Sequence, residues 1–540
     1  MLENSYLLIM YKDSPEQSLP NIFGSFTSHL CARKFNRLTD KNAWYNVFFR
    51  EITSRIDEEL FAYLFVDTGR GCASIRQLIG MAVLKEGFGW SDRQMFEECE
   101  FNMAVMRALG FHNLYDKAPV LSTYYDFNGR LQEFEEVYGV DLLQICFESL
   151  SKEQVKYYEV CGKKIRMDSK LIQSNIAVCT RLQLVISVIQ HCMVAYKKCL
   201  DIRLSEQSDI DLLERLLSHA ADNITFHINK SEQILLFEQL GLLMKKLVHL
   251  YSDSESEQYQ ILKRCYLDQY SDQRPDDPNQ PPDPKSAKDI RSSALQSASD
   301  QDAAFRKKGQ GSNEQKVKGF QANITETCGS GLRLILNTQL VKANVSETDL
   351  FLKGITTSAC VSQQTVERVW TDAGYDGYIN RLELVNLGVL KWHMAKNKGM
   401  QLTYEFRLEN GHIFVNDLKT NKEHIAEKLP NGNWRIPNER SQKMPYKYWD
   451  QRTMQSYIAM IQLRPERGQE QYELRAPVES TIHEMFHRLK AGKSKYRGLT
   501  RNKMAVRHRA LWVNMSRIGR HLCLLDKNRA KLAENAKKAA

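Results

Sequence analysis

The chain has 540 residues, 26% charged and 42% hydrophobic, enough to bury the cores of two to four domains without disulfide or metal staples. Its formal net charge of +10 is uneven: from Phe486 onward 16 Lys and Arg face 2 Asp and Glu, a balance of +14, which leaves 59 against 63, or −4, for the rest. A basic C-terminal region on a near-neutral body suits a polyanionic partner, although a solvated helical tail has the same composition.

Residues 42–110 repeat apolar positions at helical spacing, for example Ile75, Leu78, Ile79, Val83 and Leu84, and Ser91 is a candidate N-cap. A helical domain is therefore expected over 1–150. A core should begin near Tyr157, with a first strand passing through Ile165 and Met167; its first parts are expected at 157–180 and 294–379. The stretch 181–268 reads as a helical insertion after that strand. Residues 269–293 form a Pro/Asp-rich linker, with Pro275, Pro278, Pro281, Pro282 and Pro284 barring a helix or central strand.

Two strands are expected next, over 317–327, where Phe320, Ala322 and Ile324 alternate, and over 332–345. A helix around 365–368 should precede a short strand ending at Asp372. Between 380 and 450 short β-like runs are punctuated by Asn410-Gly411 and Asn431-Gly432, which predicts a small β-rich insertion. The stretch 451–520 should complete the core with a helix opened by Pro477, and 521–540 a basic tail.

Three phrases carry the chemistry. Met167-Asp168-Ser169 and Trp370-Thr371-Asp372 each place an aspartate where a strand is expected to end, and Tyr472-x2-Arg475-x3-Glu479 puts a glutamate at a helix start. Carboxylates on such elements suit two-metal phosphoryl transfer, because hard divalent cations take oxygen ligands and flank the scissile phosphate about 4 Å apart. Each also has an ordinary reading: a strand-end cap for Asp168, an Asx-turn for Asp372, a surface position for Glu479. Asp376 and Glu484 are rivals for the last two.

Together with Phe35-Asn36-Arg37-Leu38, Ser74-Ile75-Arg76-Gln77, Gly89-Trp90-Ser91-Asp92-Arg93 and Tyr496-Arg497-Gly498-Leu499, these phrases resemble the DDE transposases of bacterial insertion sequences over most of the chain. The resemblance implies an α/β fold with an RNase H-like mixed-sheet catalytic core. It also implies Asp168, Asp372 and Glu479 as catalytic, metal-holding residues, with two Mg2+ ions for which Mn2+ can substitute. The implied function is cleavage at the element's ends and strand transfer into target DNA. Terminal inverted repeats and target DNA would be the partners, with a homodimer in the DNA complex and a cytoplasmic, nucleoid-associated location. A catalytically silent DNA-binding regulator or domesticated transposase is the alternative, as is a nuclease that cuts without joining.

In such transposases Tyr472 and Arg475 have counterparts at the same spacing, and a lysine follows the glutamate by seven positions. Here Phe486 stands in that place, so the role passes to Lys490 or Arg488 or is absent. Lys490 lies eleven residues beyond Glu479, close to three helical turns, and could share its face. The tract holding Lys493, Lys495, Arg497, Arg501 and Lys503, with Tyr496 among them, is a candidate for DNA backbone contact or for a solvated loop.

The twelve cysteines form no CxxC pair and none lies between Cys360 and Cys523, so reduced thiols and no zinc site are expected, with Cys192 and Cys199 as core residues. The first ten residues, with Glu3, make a poor signal peptide, and the apolar stretch 182–196 is too short to span a bilayer; no membrane role is expected.

Overall fold

A computed structural model of the protein describes residues 9–10, 30–65, 70–71, 73–111, 113, 116–196, 204, 206–309, 311, 314–329, 331–394, 403–441, 443–466 and 472–539. Before the sheet the described residues are mainly helical, apart from a short parallel pairing of Ile9–Met10 with Arg70–Gly71. Helix α1 (Ile75–Phe88) is capped by the Ser74 hydroxyl and ends at Gly89, whose φ of 76° suits glycine. Ser91 then caps the helix Asp92–Phe101 in a capping box with Gln94.

The centre is a six-stranded mixed sheet. Its strands are β1 (Lys164–Gln173), β2 (Ala304–Lys308), β3 (Gln315–Thr327), β4 (Ile335–Lys342), β5 (Arg368–Thr371) and β6 (Lys391–Met394). The order is β6-β5-β1-β3-β2, with β4 also paired to β3. β1 runs parallel to β5 and antiparallel to β3, and β5 runs parallel to β6. Helix α2 (Glu347–Ser362) connects β4 to β5, while α3 (Pro477–Phe486) and the long α4 (Leu499–Ala539) close the chain.

One apolar cluster holds the early helices, the sheet and α4 together: Phe48, Leu84 and Phe147 share it with Ile165, Ile324, Val369 and Leu511. Close approach depends on glycine at Gly87, where a Cβ would meet the Trp512 ring at 2.1 Å. The helices between β1 and β2, among them Arg181–Tyr196 and Lys230–Leu250, bury a second cluster around Ile189, Leu243 and Leu262. Two three-stranded antiparallel sheets between Tyr404 and Trp449 bury a third around Val415 and Trp449.

A mixed α/β architecture with a helical N-terminal region thus matches the expectation, and several details differ. Asp168 is the fifth residue of the ten-residue β1 rather than its end, because the apolar residues continue to Leu171 and Ile172. The helix expected around 365–368 lies earlier: α2 stops at Ser362, Gln363 turns left-handed with φ 54°, and Arg368 already belongs to β5. β2 was not anticipated, and residues 521–539 continue α4. Among the described residues no helix is long and apolar enough to cross a membrane.

Candidate active site

The sheet register brings the two aspartates together. Lys164 pairs with Arg368 and Arg166 with Trp370; two residues beyond this last pair, Asp168 of β1 comes level with Asp372, the residue that follows β5, and feels its charge. Such strands lie about 4.8 Å apart. Asp168 is 8% exposed; one carboxylate oxygen accepts the Ser169 N–H at 2.7 Å. Asp372 follows β5 directly and accepts the Gly374 N–H at 3.0 Å, capping the turn Ala373–Tyr375.

Glu479 comes from the first turn of α3, which Pro477 opens. Arg475, one turn earlier, spans the gap between the walls: its guanidinium is 3.4 Å from Asp168 and 3.4 Å from Glu479. Asp168, Asp372, Glu479, Arg475, Lys308 and His483 line one open cleft of about 520 Å³. All three carboxylates proposed from the sequence therefore face the same space.

Burial pushes the Asp168 carboxyl up to about 6, the Asp372 charge adding to it while the Ser169 N–H and Arg475 oppose it. Asp372 is raised as well, by burial and then by the charge of Glu347. Glu347 opens α2 and is itself buried; it accepts hydrogen bonds from the Ser169 hydroxyl at 2.7 Å and from Lys308 at 3.3 Å. A Cβ on Gly374 would sit 2.1 Å from this carboxylate, so any larger residue there must displace the Glu347 side chain from beneath the Asp372 turn. Sequence reading missed Lys308, which reaches the cleft through the pairing of β2 with β3, and Glu347, which meets Ser169 from the first turn of α2; neither sits in a phrase of its own.

Among the described residues no three His, Cys, Asp or Glu side chains are gathered closely enough to hold a metal ion. Arg475 instead stands between Asp168 and Glu479. The donor chemistry nevertheless fits a hard divalent cation: the three carboxylates offer oxygen ligands only, and burial, with a neighbouring carboxylate charge in each case, raises Asp168 and Asp372.

The rivals are occupied elsewhere. Asp376 forms a two-armed pair with Arg381, at 2.7 and 2.5 Å, and Glu484 is held by Arg517 and Arg520. Neither is among the described residues lining the cleft.

The cations proposed for DNA contact sit less simply. Lys490 does not share Glu479's helical face: α3 ends at Phe486, and Lys490 lies in a separate turn, Lys490–Gly492, with Ala491 at φ 52°. The three-turn projection fails because the helix stops one turn too early. In the basic tract Lys493 donates to the Ile176 carbonyl, Lys495 to those of Gly89 and Trp90, and Arg497 to that of Asn175. Arg501 bonds Gln132 and Lys503 pairs with Glu135. These side chains stitch the tract to the sheet and the early helices, and burial lowers the Lys495 ammonium. The Tyr472 side chain lies outside the described residues, as does Cys199.

Two family models match the chain, one described as a transposase domain (DUF772) over residues 34–130 and one as a transposase DDE domain over residues 283–515. The second span contains Asp372 and Glu479 and begins after Asp168, whose strand β1 pairs with β5 beside Asp372. No curated protein and no solved structure matches the chain.

Proposed function

Because the chain belongs to the DDE transposases of insertion-sequence type, we propose that its cleft cuts DNA at the ends of the element and joins the freed 3′-ends to target DNA. The mixed sheet is read as an RNase H-like core, with Asp168, Asp372 and Glu479 holding two Mg2+ ions or Mn2+ in their place. When bound, those ions activate the attacking water or 3′-hydroxyl and relieve charge on the leaving oxygen.

The chain's own groups do the rest. The sheet holds Asp168 and Asp372 side by side, and α3 brings Glu479 to the opposite wall. Arg475, Lys308 and Lys170, which line the cleft, attract the DNA backbone and orient the scissile phosphate between the carboxylates. The Lys493–Lys503 tract adds positive charge beside the cleft and contacts flanking phosphates. Two ends must react in one complex, so a homodimer on DNA carrying terminal inverted repeats is part of the proposal, acting on the bacterial nucleoid in the cytoplasm.

The observation that carries this reading is the parallel register that sets Asp168 beside Asp372, in a cleft that Glu479 also lines. The test uses purified protein, Mg2+ and short duplexes bearing the sequences that flank the coding region. Cleavage followed by 3′-end joining is expected, and both should vanish in Asp168→Ala, Asp372→Ala and Glu479→Ala while DNA binding persists. Full activity in any one variant refutes that residue's role. Cleavage without joining would leave a nuclease. Arg475, set between Asp168 and Glu479, favours a second reading, a silent DNA-binding regulator, which any Mg2+-dependent cleavage excludes.

A further inference from the structure

We propose that Glu326 is a positioning residue, a buried carboxylate that fixes the register of α3 and so holds Glu479 and Arg475 over Asp168; this rests on the catalytic reading above. Glu326 lies on β3 with no exposed surface, directly opposite Arg166 of β1. Its carboxylate accepts from Arg166 Nε at 2.6 Å, from the Thr481 hydroxyl at 2.7 Å and from Arg517 at 2.6 Å.

Each donor ties the carboxylate to part of the cleft. Arg166 stands two residues before Asp168, and its other arm donates to the Leu474 carbonyl at 2.9 Å, the peptide that leads into Arg475. Thr481, fully buried, stands two residues after Glu479 on the underside of α3. Arg517, from α4, bonds the Thr481 hydroxyl and pairs with Glu484 of α3 at 2.7 Å. The strand of one carboxylate and the helix of another therefore meet on a third.

Apolar packing alone would hold α3 less specifically. Val478, Met485 and Phe486 bury the helix against its neighbours, but hydrophobic contact is non-directional and tolerates small slips and rotations. A slip of one residue turns a helix by about 100°, enough to swing Glu479 out of the cleft. A desolvated ion with several hydrogen-bond partners accepts one arrangement, since any other strands a buried charge. Such networks add little net stability compared with an apolar replacement, so the main effect here is on geometry.

The test separates position from stability. Thr481→Val keeps the side-chain volume and the pairs of Arg166 and Arg517 with Glu326, and removes the hydroxyl that joins the helix to the carboxylate and accepts from Arg517. It should melt near the wild type, yet bind Mn2+ without DNA about tenfold more weakly and cleave with a kcat lower by about the same factor, KM for DNA unchanged. Thr481→Ser, which restores the hydroxyl, should recover both, and Glu326→Gln should show the larger loss. The proposal is overturned if Thr481→Val retains wild-type Mn2+ affinity and kcat, if Thr481→Ser is equally impaired, or if the losses only track a lowered melting temperature and disappear on cooling. Asp168→Asn is measured alongside: if it keeps Mn2+ binding and cleavage, the catalytic reading fails whatever Thr481 does.

Discussion

The sheet wall of the cleft presents Asp168, buried on β1, and Asp372, half-buried at the end of the neighbouring parallel strand, with both carboxyls raised. The helix wall presents Glu479 from the first turn of α3, its side chain 67% exposed and its nearest cation Arg475. Backbone pairing sets the first wall, so its geometry follows from strand register. Side-chain ions and a hydroxyl set the second. The sheet wall should therefore tolerate almost no change of side chain, while the helix wall can be tuned.

The sharpest way to break this contrast is to remove charge from the sheet wall. Asp168→Asn or Asp372→Asn should lower cleavage about a thousandfold, the several kcal/mol that metal-assisted charge stabilisation supplies. Binding to end-bearing duplexes should remain. Shortening the helix-wall carboxylate with Glu479→Asp should cost less than lengthening the sheet-wall one with Asp168→Glu; kcat ratios in the opposite order would dissolve the distinction.

A next effect comes from α4, which backs the helix wall. Burial, aided by Lys85 and opposed by Glu86, pushes the His508 imidazole down to about 4. Its ordinary value is 6.5, so between these the unfolded chain binds the extra proton. Stability is therefore complete above pH 6.5 and falls as pH drops toward 4, by on the order of 3 kcal/mol. Thermal melts across that range check it, and His508→Leu should flatten the decline.

Smaller again is Gly374→Ala, whose methyl group would collide with the Glu347 carboxylate beneath the Asp372 turn. About 1–3 kcal/mol of stability should be lost, with reduced cleavage and unchanged affinity for DNA. An alanine variant with wild-type kcat would show that the sheet wall yields more easily than its register implies.

The smallest effect concerns the cation between the walls. Arg475→Ala frees buried Asp168 and exposed Glu479 of a competing guanidinium, whose long 3.4 Å contacts are worth about 1 kcal/mol. Mg2+ should then bind several-fold more tightly in titration calorimetry without DNA, even as affinity for DNA falls. Weaker Mg2+ binding would mean that the arginine orders the carboxylates rather than occupying their charge.

Much of the site can be read along the chain because its chemistry sits in short phrases. The residues around Asp168, Asp372 and Glu479 single out the carboxylates that line the cleft, and Ser91 marks a helix start from its own neighbours. Local rules suffice there. They fail for Lys490, where a helical face was projected past the point at which α3 ends. Nor do they show that Lys493, Lys495 and Arg497, half-buried or exposed cations, also bond distant carbonyls. Glu347 and Glu326 carry no local mark at all.

By itself the amino-acid order determined what each residue could do: oxygen ligands for a hard cation, helices where apolar positions recur, a basic C-terminal region, and membership of a transposase family. Tertiary structure alone decided which groups meet. Asp168 and Asp372 are 204 residues apart and become neighbours only through parallel pairing of β1 with β5, and Glu326 finds Thr481 across 155 positions. The reason is that strand pairing and buried ion contacts depend on distance in space. No pattern within a single stretch of chain encodes that distance.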